Sequence, residues 1–317
     1  MSTPTGVVLL TFGSAVTSDD VPEYMRSVRG RREPSAEVVD EFRMRYDVIG
    51  RSPLIDITLA QAAALQRLLD DEHGPGALVV RAGMQHSEPR IAVAVDELVT
   101  LGAHRVVGVV LAPQYSPIIL AGYERAATAA RDAHPDLDLR IAGAWHTMPA
   151  WIDSLSDRLR AALHALPPDA RDAPVIFTAH SLPRSVVDRD PGYIDQLRET
   201  AAAVAARTAL AATRWQFAYQ SAGHTPEPWL TPDVKDLLPG LRERGVRTVV
   251  VAPVQFLADH LEILYDIDVA AVREARDLGI EMRRIEMPNA SPGLVTALAA
   301  VVRRELEPAG ATQTQRL

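Results

Sequence analysis

Short apolar runs alternate along the chain with longer segments of amphipathic character. The runs are rich in Val and Ile, and most are apolar on both faces, which is typical of strands covered by helices on both sides. They predict strands over residues 7–12, 78–85, 105–113, 139–145, 173–180, 215–221, 247–254 and 281–287. The helical period of the other segments predicts helices over 58–72, 90–101, 120–133, 150–166, 193–210, 232–243, 259–277 and 292–306. This alternation indicates βαβ units and parallel sheets, an α/β fold.

The predicted strands can form one sheet or two sheets of four. The segment His146–Ala150 lies near the middle of the chain, before a long helical pattern, and we place a domain boundary there. The first α/β domain is then residues 1–146 and the second is residues 147–289. The final helix, within residues 290–309, is a candidate to pack back on the first domain. Two facing α/β domains leave a cleft lined by strand ends, and such a cleft suits a bulky flat ligand.

Composition narrows the class of protein. The chain has 317 residues, 47% hydrophobic and 23% charged, which suits about two domains with large cores. Its formal net charge of −8 argues against nucleic acid as a partner. It has no cysteine, which excludes disulfides, thiol catalysis and a cysteine-bound iron–sulfur cluster. The N-terminus is a poor signal peptide, and no apolar stretch approaches the roughly 18 residues of a membrane span, so we expect a cytoplasmic protein.

A histidine ends one of the apolar runs, in the stretch VIFTAHSLPRS that begins at Val175. Pro183 cannot donate a hydrogen bond to a sheet, so the strand is expected to end just before it. His180 then lies at the carboxyl end of a strand, which is where open parallel α/β sheets bind their ligands. On position alone, a histidine bonded into a turn is an equally good interpretation.

Four carboxylates crowd the stretch ADHLEILYDID, at Asp259, Glu262, Asp266 and Asp268. Glu262 and Asp266 are four residues apart and share a face of the predicted helix. One interpretation is a capping box, in which Asp259 and Glu262 stabilise the helix start. Capping does not account for Asp266 and Asp268, which fall in later turns. A role in handling cations or protons is the alternative.

Two further segments are unusual for their composition. The loop YQSAGHTPEPWLTPDVKDLL either shapes a pocket or is a rigid connector whose Trp229 plugs the core. His224 in that loop is expected to face solvent rather than to bind a ligand. Arginine-rich segments, which we interpret as loops, run from Arg26 to Pro34 and onward from Arg43. They either clamp carboxylates or phosphates or form an ordinary solvated basic face.

Motifs that occur in a fixed order along the chain are distinctive when taken together. They are RYDVIGRSPL, APQYSP, TAHSLP, YQSAGHTPEPWLTPDV, ADHLEILYDID and EMPNASP, between residues 45 and 292. The set resembles the ferrochelatase family, including the coproporphyrin ferrochelatases of the bacterial haem pathway, and it spans essentially the whole chain. The resemblance implies two Rossmann-like lobes, each a four-stranded parallel sheet flanked by helices, with a porphyrin cleft between them. That chelatase fold agrees with the two α/β domains predicted from the pattern.

The resemblance also implies an activity and its central residues. The expected reaction is insertion of Fe²⁺ into a porphyrin, in which the metal must replace two pyrrole N–H protons. His180 matches the cleft histidine that faces the porphyrin centre, where a neutral imidazole that titrates near working pH takes a proton or holds the metal. Glu262 matches the residue across from it, a metal ligand or proton relay. Asp266 and Asp268 are expected to continue a carboxylate path for protons or metal.

Family positions that contact the porphyrin propionates fall at Arg29, Arg45, Tyr46, Ser52 and Tyr123. Coproporphyrin III has four propionates and protoporphyrin IX has two. Compact chains without an iron–sulfur cluster, such as this one, resemble the coproporphyrin branch of the family. We therefore expect Fe²⁺ insertion into coproporphyrin III. The alternatives are protoporphyrin IX, another metal such as cobalt in a related tetrapyrrole, and a non-catalytic tetrapyrrole-binding protein. A central base opposite a carboxylate argues against the last of these.

Departures from the family pattern concern the first domain. Phe12, expected to contact the porphyrin, stands where some coproporphyrin enzymes have a tyrosine that ligates the product iron, so phenolate ligation is not expected. His86 matches a position that is often an outer metal site, and Gln85 replaces a basic residue of some members.

The expected partners are the porphyrin and Fe²⁺ substrates and, transiently, the preceding and following haem-pathway enzymes. No permanently bound cofactor is expected.

Overall fold

The computed structural model describes residues 3–223 and 226–307. His224 and the last two residues of the predicted helix 290–309 lie outside this range. The predicted strands form two parallel four-stranded sheets, in the orders β2-β1-β3-β4 and β6-β5-β7-β8. The strands are β1 (Thr5–Thr11), β2 (Leu78–Met84), β3 (Arg105–Val110), β4 (Asp138–Ile141), β5 (Val175–His180), β6 (Trp215–Gln220), β7 (Thr248–Pro253) and β8 (Glu281–Arg284). We call β1–β4 with their helices the N-terminal lobe and β5–β8 with theirs the C-terminal lobe.

Helices connect the strands. They are α1 (Val21–Val28), α2 (Ala36–Ile49), α3 (Leu54–His73), α4 (Ile91–Thr100), α5 (Ala121–Ala133), α6 (Pro149–His164), α7 (Arg184–Val187), α8 (Gly192–Arg207), α9 (Val234–Glu243), α10 (Val272–Asp277) and α11 (Pro292–Leu306). A π-helix, Glu262–Ala271, runs directly into α10. Among the described residues, no helix is long and apolar enough to cross a membrane.

The arginine-rich segments are helical over part of their length, so the prediction of loops was wrong there. Helix α1 contains Arg26, and α2 contains Arg43 and Arg45. Helix α2 ends at Ile49 and is followed by Gly50, whose φ of 77° lies in the left-handed region that glycine adopts without strain. The result is a pair of helices between β1 and α3, and α2 carries Arg45 towards the C-terminal lobe.

The two lobes share an apolar core. One cluster of buried side chains includes Leu9 of β1, Phe177 of β5 and Leu298 of α11. Helix α11 also binds the N-terminal lobe through polar groups, because Nε of Arg303 donates to Glu72 at 3.0 Å. Helix α11 therefore contacts the N-terminal lobe, while its assignment to a domain and the boundary between residues 146 and 147 stay predictions.

Candidate active site

The carboxyl ends of strands from both lobes line one cavity of about 560 Å³. Phe12, after β1, and Ala112, after β3, line it from the N-terminal lobe. His180, at the end of β5, and Gln255, after β7, line it from the C-terminal lobe. In each sheet the first strand has the second strand on one side and the third on the other. That change of direction is the point at which open α/β sheets bind ligands.

His180 is held at the end of β5 by its own backbone and its ring. Its backbone N–H donates to the side-chain oxygen of Gln255 at 2.7 Å. Its Nδ1 contacts the carbonyl oxygen of Ser181, which can only accept, so Nδ1 carries a proton. The other ring nitrogen, Nε2, lies 3.5 Å from Oε1 of Glu262. The strand end therefore aims one imidazole nitrogen at a carboxylate in the cavity wall.

Glu262 is the first residue of the π-helix. Long π-helices are rare, and π-helical turns are frequent at functional sites. The backbone carbonyl of Glu262 accepts from the side-chain amide of Gln220, at the end of β6, at 3.3 Å. Its second carboxylate oxygen, Oε2, lies 3.5 Å from Nε2 of His260. Glu262 is thus flanked by two imidazoles.

The capping-box interpretation of Asp259 is wrong. No side chain caps the start of the π-helix. The backbone N–H of Asp259 donates to Oδ1 of Asn289 at 2.9 Å rather than to the Glu262 side chain. The carboxylate of Asp259 instead accepts from Nδ2 of Asn289 at 2.8 Å and from Nη2 of Arg284 at 3.2 Å. Asp259 therefore ties the segment before the π-helix to the chain after β8.

The His180–Glu262 pair is ionised. Burial alone would lower the pKa of His180, but the Glu262 carboxylate and the Ser181 carbonyl raise that pKa to about 9. Burial alone would raise the pKa of Glu262, but His180 and His260 hold it well below its usual range. At neutral pH an imidazolium therefore faces a carboxylate. The expectation that His180 titrates near working pH is wrong for the protein without its substrates.

These groups form a row rather than a cage. The two imidazoles contact different oxygens of Glu262. Within the described ranges, no three His, Asp or Glu side chains are arranged to hold a metal ion. Imidazole and carboxylate are suitable donors for a divalent iron substrate, and metal binding to such groups displaces their protons. This row of side chains can exchange protons with a ligand in the cavity and can bind a metal ion transiently.

Asp266 lines the same cavity further along the π-helix. Its Oδ1 lies 3.3 Å from Nη1 of Arg45 on α2. Burial raises the pKa of Asp266, while the Ser221 hydroxyl and Arg45 act in the opposite direction. Nη2 of Arg45 lies 2.5 Å from Oε1 of Glu41. The predicted propionate-binding arginine is therefore bound to two carboxylates of the protein.

The N-terminal wall of the cavity is aromatic. Phe12 is 42% exposed, and its ring centroid lies 4.5 Å from that of His86. Nδ1 of His86 lies 3.0 Å from the hydroxyl of Ser27. Burial and Arg90 lower the pKa of His86, so its imidazole is neutral at pH 7. His86 therefore packs against a cavity residue and stays outside the lining itself.

Tyrosine hydroxyls add polar groups to this wall. The hydroxyl of Tyr46 lies 3.0 Å from Oγ of Ser14, which also donates to Ser52 at 3.0 Å. Burial raises the pKa of Tyr46 to about 12 and that of Tyr123 further, so both are neutral. The wall offers hydroxyl groups for hydrogen bonds to a ligand.

The loop after β6 shapes the cavity. Trp229 lines it, with its ring centroid 6.4 Å from that of His180. A Cβ on Gly223 would lie 2.5 Å from the Trp229 ring, so glycine is required for that approach. Of the two interpretations of this loop, the structure supports the pocket rather than a plug in the core.

The structure brings most of the predicted site residues together. The cavity lining includes His180, Glu262, Asp266, Phe12, Arg45, Tyr46 and Tyr123. Four others lie outside the lining. Arg29 is exposed just after α1, Ser52 is buried, and His86 contacts Phe12. Asp268 accepts two 2.8 Å hydrogen bonds from Arg284. The functional roles of all these residues stay predictions.

Sequence reasoning missed several polar residues of the cavity, among them His260 and Tyr24. His260 stands two positions before Glu262, and side chains at that spacing do not lie together on a helix. In the structure His260 precedes the π-helix, so this restriction does not apply. Tyr24 lies on α1, within a short amphipathic turn that adjoins the arginines, and its hydroxyl donates to the carbonyl of Gly13 at 3.2 Å. The only sequence signal for His260 was its position inside the motif ADHLEILYDID.

The two-lobed fold is the fold of the chelatases. Among solved structures, SirB from Bacillus subtilis with Fe³⁺ has a TM-score of 0.61 at 12% identity, over 95% of each chain. CbiX, the terminal enzyme of sirohaem biosynthesis in denitrifying bacteria, has a TM-score of 0.56 at 17% identity, over 95% of this chain and 100% of its own. At these identities the likeness is one of fold.

Sequence comparison identifies the family. The family model described as ferrochelatase matches residues 4–306. A ferrochelatase of Deinococcus radiodurans is 38% identical over 95% of this chain and 96% of its own. Coproporphyrin III ferrochelatases of Geobacillus thermodenitrificans and Bacillus subtilis are 35% and 34% identical, over 96% and 95% of this chain and 97% of each of theirs. The chain belongs to the ferrochelatase family and is a metal chelatase of haem biosynthesis.

Proposed function

We propose that this enzyme inserts Fe²⁺ into coproporphyrin III and gives Fe-coproporphyrin (coproheme). Several relatives along the whole chain are named coproporphyrin III ferrochelatase. The cavity supports the proposal, because its wall carries the Arg45 guanidinium and the hydroxyls of Tyr24, Tyr46 and Tyr123, groups that bind carboxylates. Relatives named simply ferrochelatase keep protoporphyrin IX as the competing substrate.

The reaction exchanges two pyrrole protons for one Fe²⁺ ion. Two N–H bonds break, the two protons leave the ring, and the four ring nitrogens bind the metal. Charge is conserved because one divalent cation replaces two protons. The protein must therefore take protons at the ring centre and deliver the metal to the same place.

The ionised His180–Glu262 pair is the observation that carries the mechanism. Nε2 of His180 and Oε1 of Glu262, 3.5 Å apart, face one cavity and hold one proton between them. We propose that this proton leaves by way of Glu262 when the substrates bind, because a protonated imidazole cannot accept a pyrrole proton. His180 then accepts the first pyrrole proton and passes it outward through Glu262, and the second pyrrole proton leaves by the same route. The Glu262 carboxylate holds the incoming Fe²⁺, and His180 holds it only while its Nε2 carries no proton. Asp266, in the same lining, is the next acceptor along the π-helix.

Iron is a substrate in this proposal and not a resident group, and we propose that the enzyme works without a bound cofactor. A protein purified without added metal should then insert Fe²⁺ at full rate once the porphyrin is supplied. Loss of activity on dialysis against a chelator, with recovery only after a metal other than Fe²⁺ is restored, would contradict this part of the proposal.

The substrate assignment is tested by anaerobic incubation with Fe²⁺ and either coproporphyrin III or protoporphyrin IX, followed by absorbance. We expect kcat/KM to be higher for coproporphyrin III by about tenfold or more, the effect of one further charge-assisted contact. A higher value for protoporphyrin IX would assign the enzyme to the other substrate. Insertion into neither porphyrin would overturn both assignments.

A further inference from the structure

The Arg45 guanidinium joins the two lobes at the cavity. It lies on α2 of the N-terminal lobe, and its Nη1 binds Asp266 on the π-helix of the C-terminal lobe at 3.3 Å. The side chains of Arg45 and Asp266 are only 16% and 18% exposed. Both residues line the cavity, so a ligand in the cavity can reach this ion pair.

The two carboxylates on Arg45 are not equivalent. Glu41 is one turn away on the same helix, at 2.5 Å, and it is not among the residues that line the cavity. Asp266 is bound at the longer distance of 3.3 Å and comes from another element. A substrate carboxylate that approaches Arg45 from the cavity therefore meets the Asp266 contact, which is the weaker one by geometry.

Aromatic rings hold the guanidinium independently of Asp266. The Arg45 Cζ atom lies 5.3 Å from the ring centroid of Phe42 and 5.3 Å from that of Tyr265. Such contacts fix the plane of a guanidinium while its N–H groups remain available at the edge. Arg45 is thus kept in place when one of its carboxylate partners changes.

We propose that Asp266 is a built-in competitor of the substrate for Arg45. A porphyrin carboxylate replaces Asp266 on the guanidinium, and the displaced Asp266 remains in the cavity wall beside the His180–Glu262 pair. A porphyrin without carboxylates leaves the ion pair closed. Asp266 therefore lowers the affinity for a carboxylate ligand, which must replace it on Arg45, and does not compete with a ligand that has no carboxylate. This inference rests on the proposed function only in that a porphyrin carboxylate must reach Arg45.

The test is the affinity of the whole protein for metal-free coproporphyrin III, measured by quenching of tryptophan fluorescence. We expect Asp266→Asn to bind about tenfold more tightly than wild type, since the amide is a poorer partner for Arg45. In the Arg45→Met background, Asp266→Asn should give no such gain. The matched control is Asp56→Asn, which removes the same charge from the exposed Arg51–Asp56 pair and should leave the affinity unchanged.

Three outcomes would overturn the inference. They are an unchanged or weaker affinity of Asp266→Asn, a gain that persists without Arg45, and an equal gain in Asp56→Asn. The second and third would indicate general charge repulsion. If Asp266→Asn does not fold, Asp266→Ser makes the same comparison. Tight binding by wild type with no effect of Asp266 defeats this inference alone, whereas failure to insert iron into coproporphyrin III defeats the proposed function.

Discussion

The two lobes have the same strand order and opposite chemistry at equivalent strand ends. The first strand of the N-terminal lobe, β1, is followed by Phe12, whose ring is half-exposed in the cavity. The first strand of the C-terminal lobe, β5, ends at His180, which is ion-paired with Glu262. The shared topology supplies the cleft, and we propose that the residue at the strand end decides whether that wall of the cleft binds a flat ligand or exchanges protons with it.

The element that follows the third strand of each lobe sharpens the difference. After β3 the chain enters a turn and then α5, which contributes the neutral Tyr123. After β7 the chain forms the π-helix, which contributes Glu262 and Asp266 to the cavity. These two elements therefore differ in charge, since α5 contributes a neutral hydroxyl and the π-helix contributes carboxylates.

Removal of the two strand-end side chains should have the most unequal effects. His180→Ala should lower kcat for Fe²⁺ insertion by about a hundredfold or more, the scale of a lost proton-transfer group. Phe12→Ala should change KM for the porphyrin and leave kcat close to wild type. Circular dichroism and porphyrin binding check that both variants are folded. Near-normal kcat in His180→Ala would show that the chemistry lies elsewhere.

The next effect concerns the carboxylate partner. Glu262→Gln should slow insertion severely, because it removes the charge that holds the proton on His180 and a metal-binding oxygen. We expect the free energy of unfolding at neutral pH to fall by roughly 3 kcal/mol, the scale of removing one partner from a largely buried ion pair. A variant that is strongly destabilised, but inserts iron at the wild-type rate per folded molecule, would assign Glu262 to structure.

The same pair predicts how stability depends on pH. The pKa of His180 is raised from 6.5 to about 9, so its stabilising contribution is complete below pH 6.5 and is lost as the pH rises through 9. Urea unfolding of wild type should show this loss between those pH values. The corresponding slope should be much smaller in Glu262→Gln.

A smaller effect is expected when the N-terminal wall gains a side chain that can bind iron. Phe12→Tyr places a phenolic oxygen at the end of β1, where it can bind the iron of the product. We expect a tyrosinate charge-transfer band in the product complex and slower product release, because a metal–oxygen bond must break first. The visible spectrum of the product complex shows the band, and the rate constant of product release is measured by rapid kinetics. The same band in wild type would mean that another tyrosine, such as Tyr123, reaches the iron.

The last comparison separates the two arginines on the N-terminal side. Arg45→Ala should weaken coproporphyrin III binding by about 1.5–3 kcal/mol, the scale of a hydrogen bond to a charged group. Arg29→Ala should have little effect, because Arg29 is exposed and lies outside the cavity lining. Equal losses in the two variants would place a propionate against Arg29 as well.

The strands were predictable because their sequences are apolar on both faces, as β5 is up to Ala179. His180 stood out because it ends such a run. Helices α1 and α2 were missed because arginines interrupt their apolar periods. The π-helix has no sequence period that distinguishes it from an α-helix over ten residues. The contact between Arg45 and Asp266 joins residues 221 positions apart, and no local pattern encodes it.

The most direct test of the difference between the lobes is the pKa of His180, measured by NMR of the labelled imidazole nitrogens. His180→Ala identifies its signal among those of the nine histidines. The account predicts a pKa of about 9 in wild type and a fall to the ordinary value of 6.5 or below in Glu262→Gln, where burial is no longer opposed by the carboxylate. A wild-type pKa near 6.5 that Glu262→Gln leaves unchanged would contradict it, because the two groups would then not share a proton.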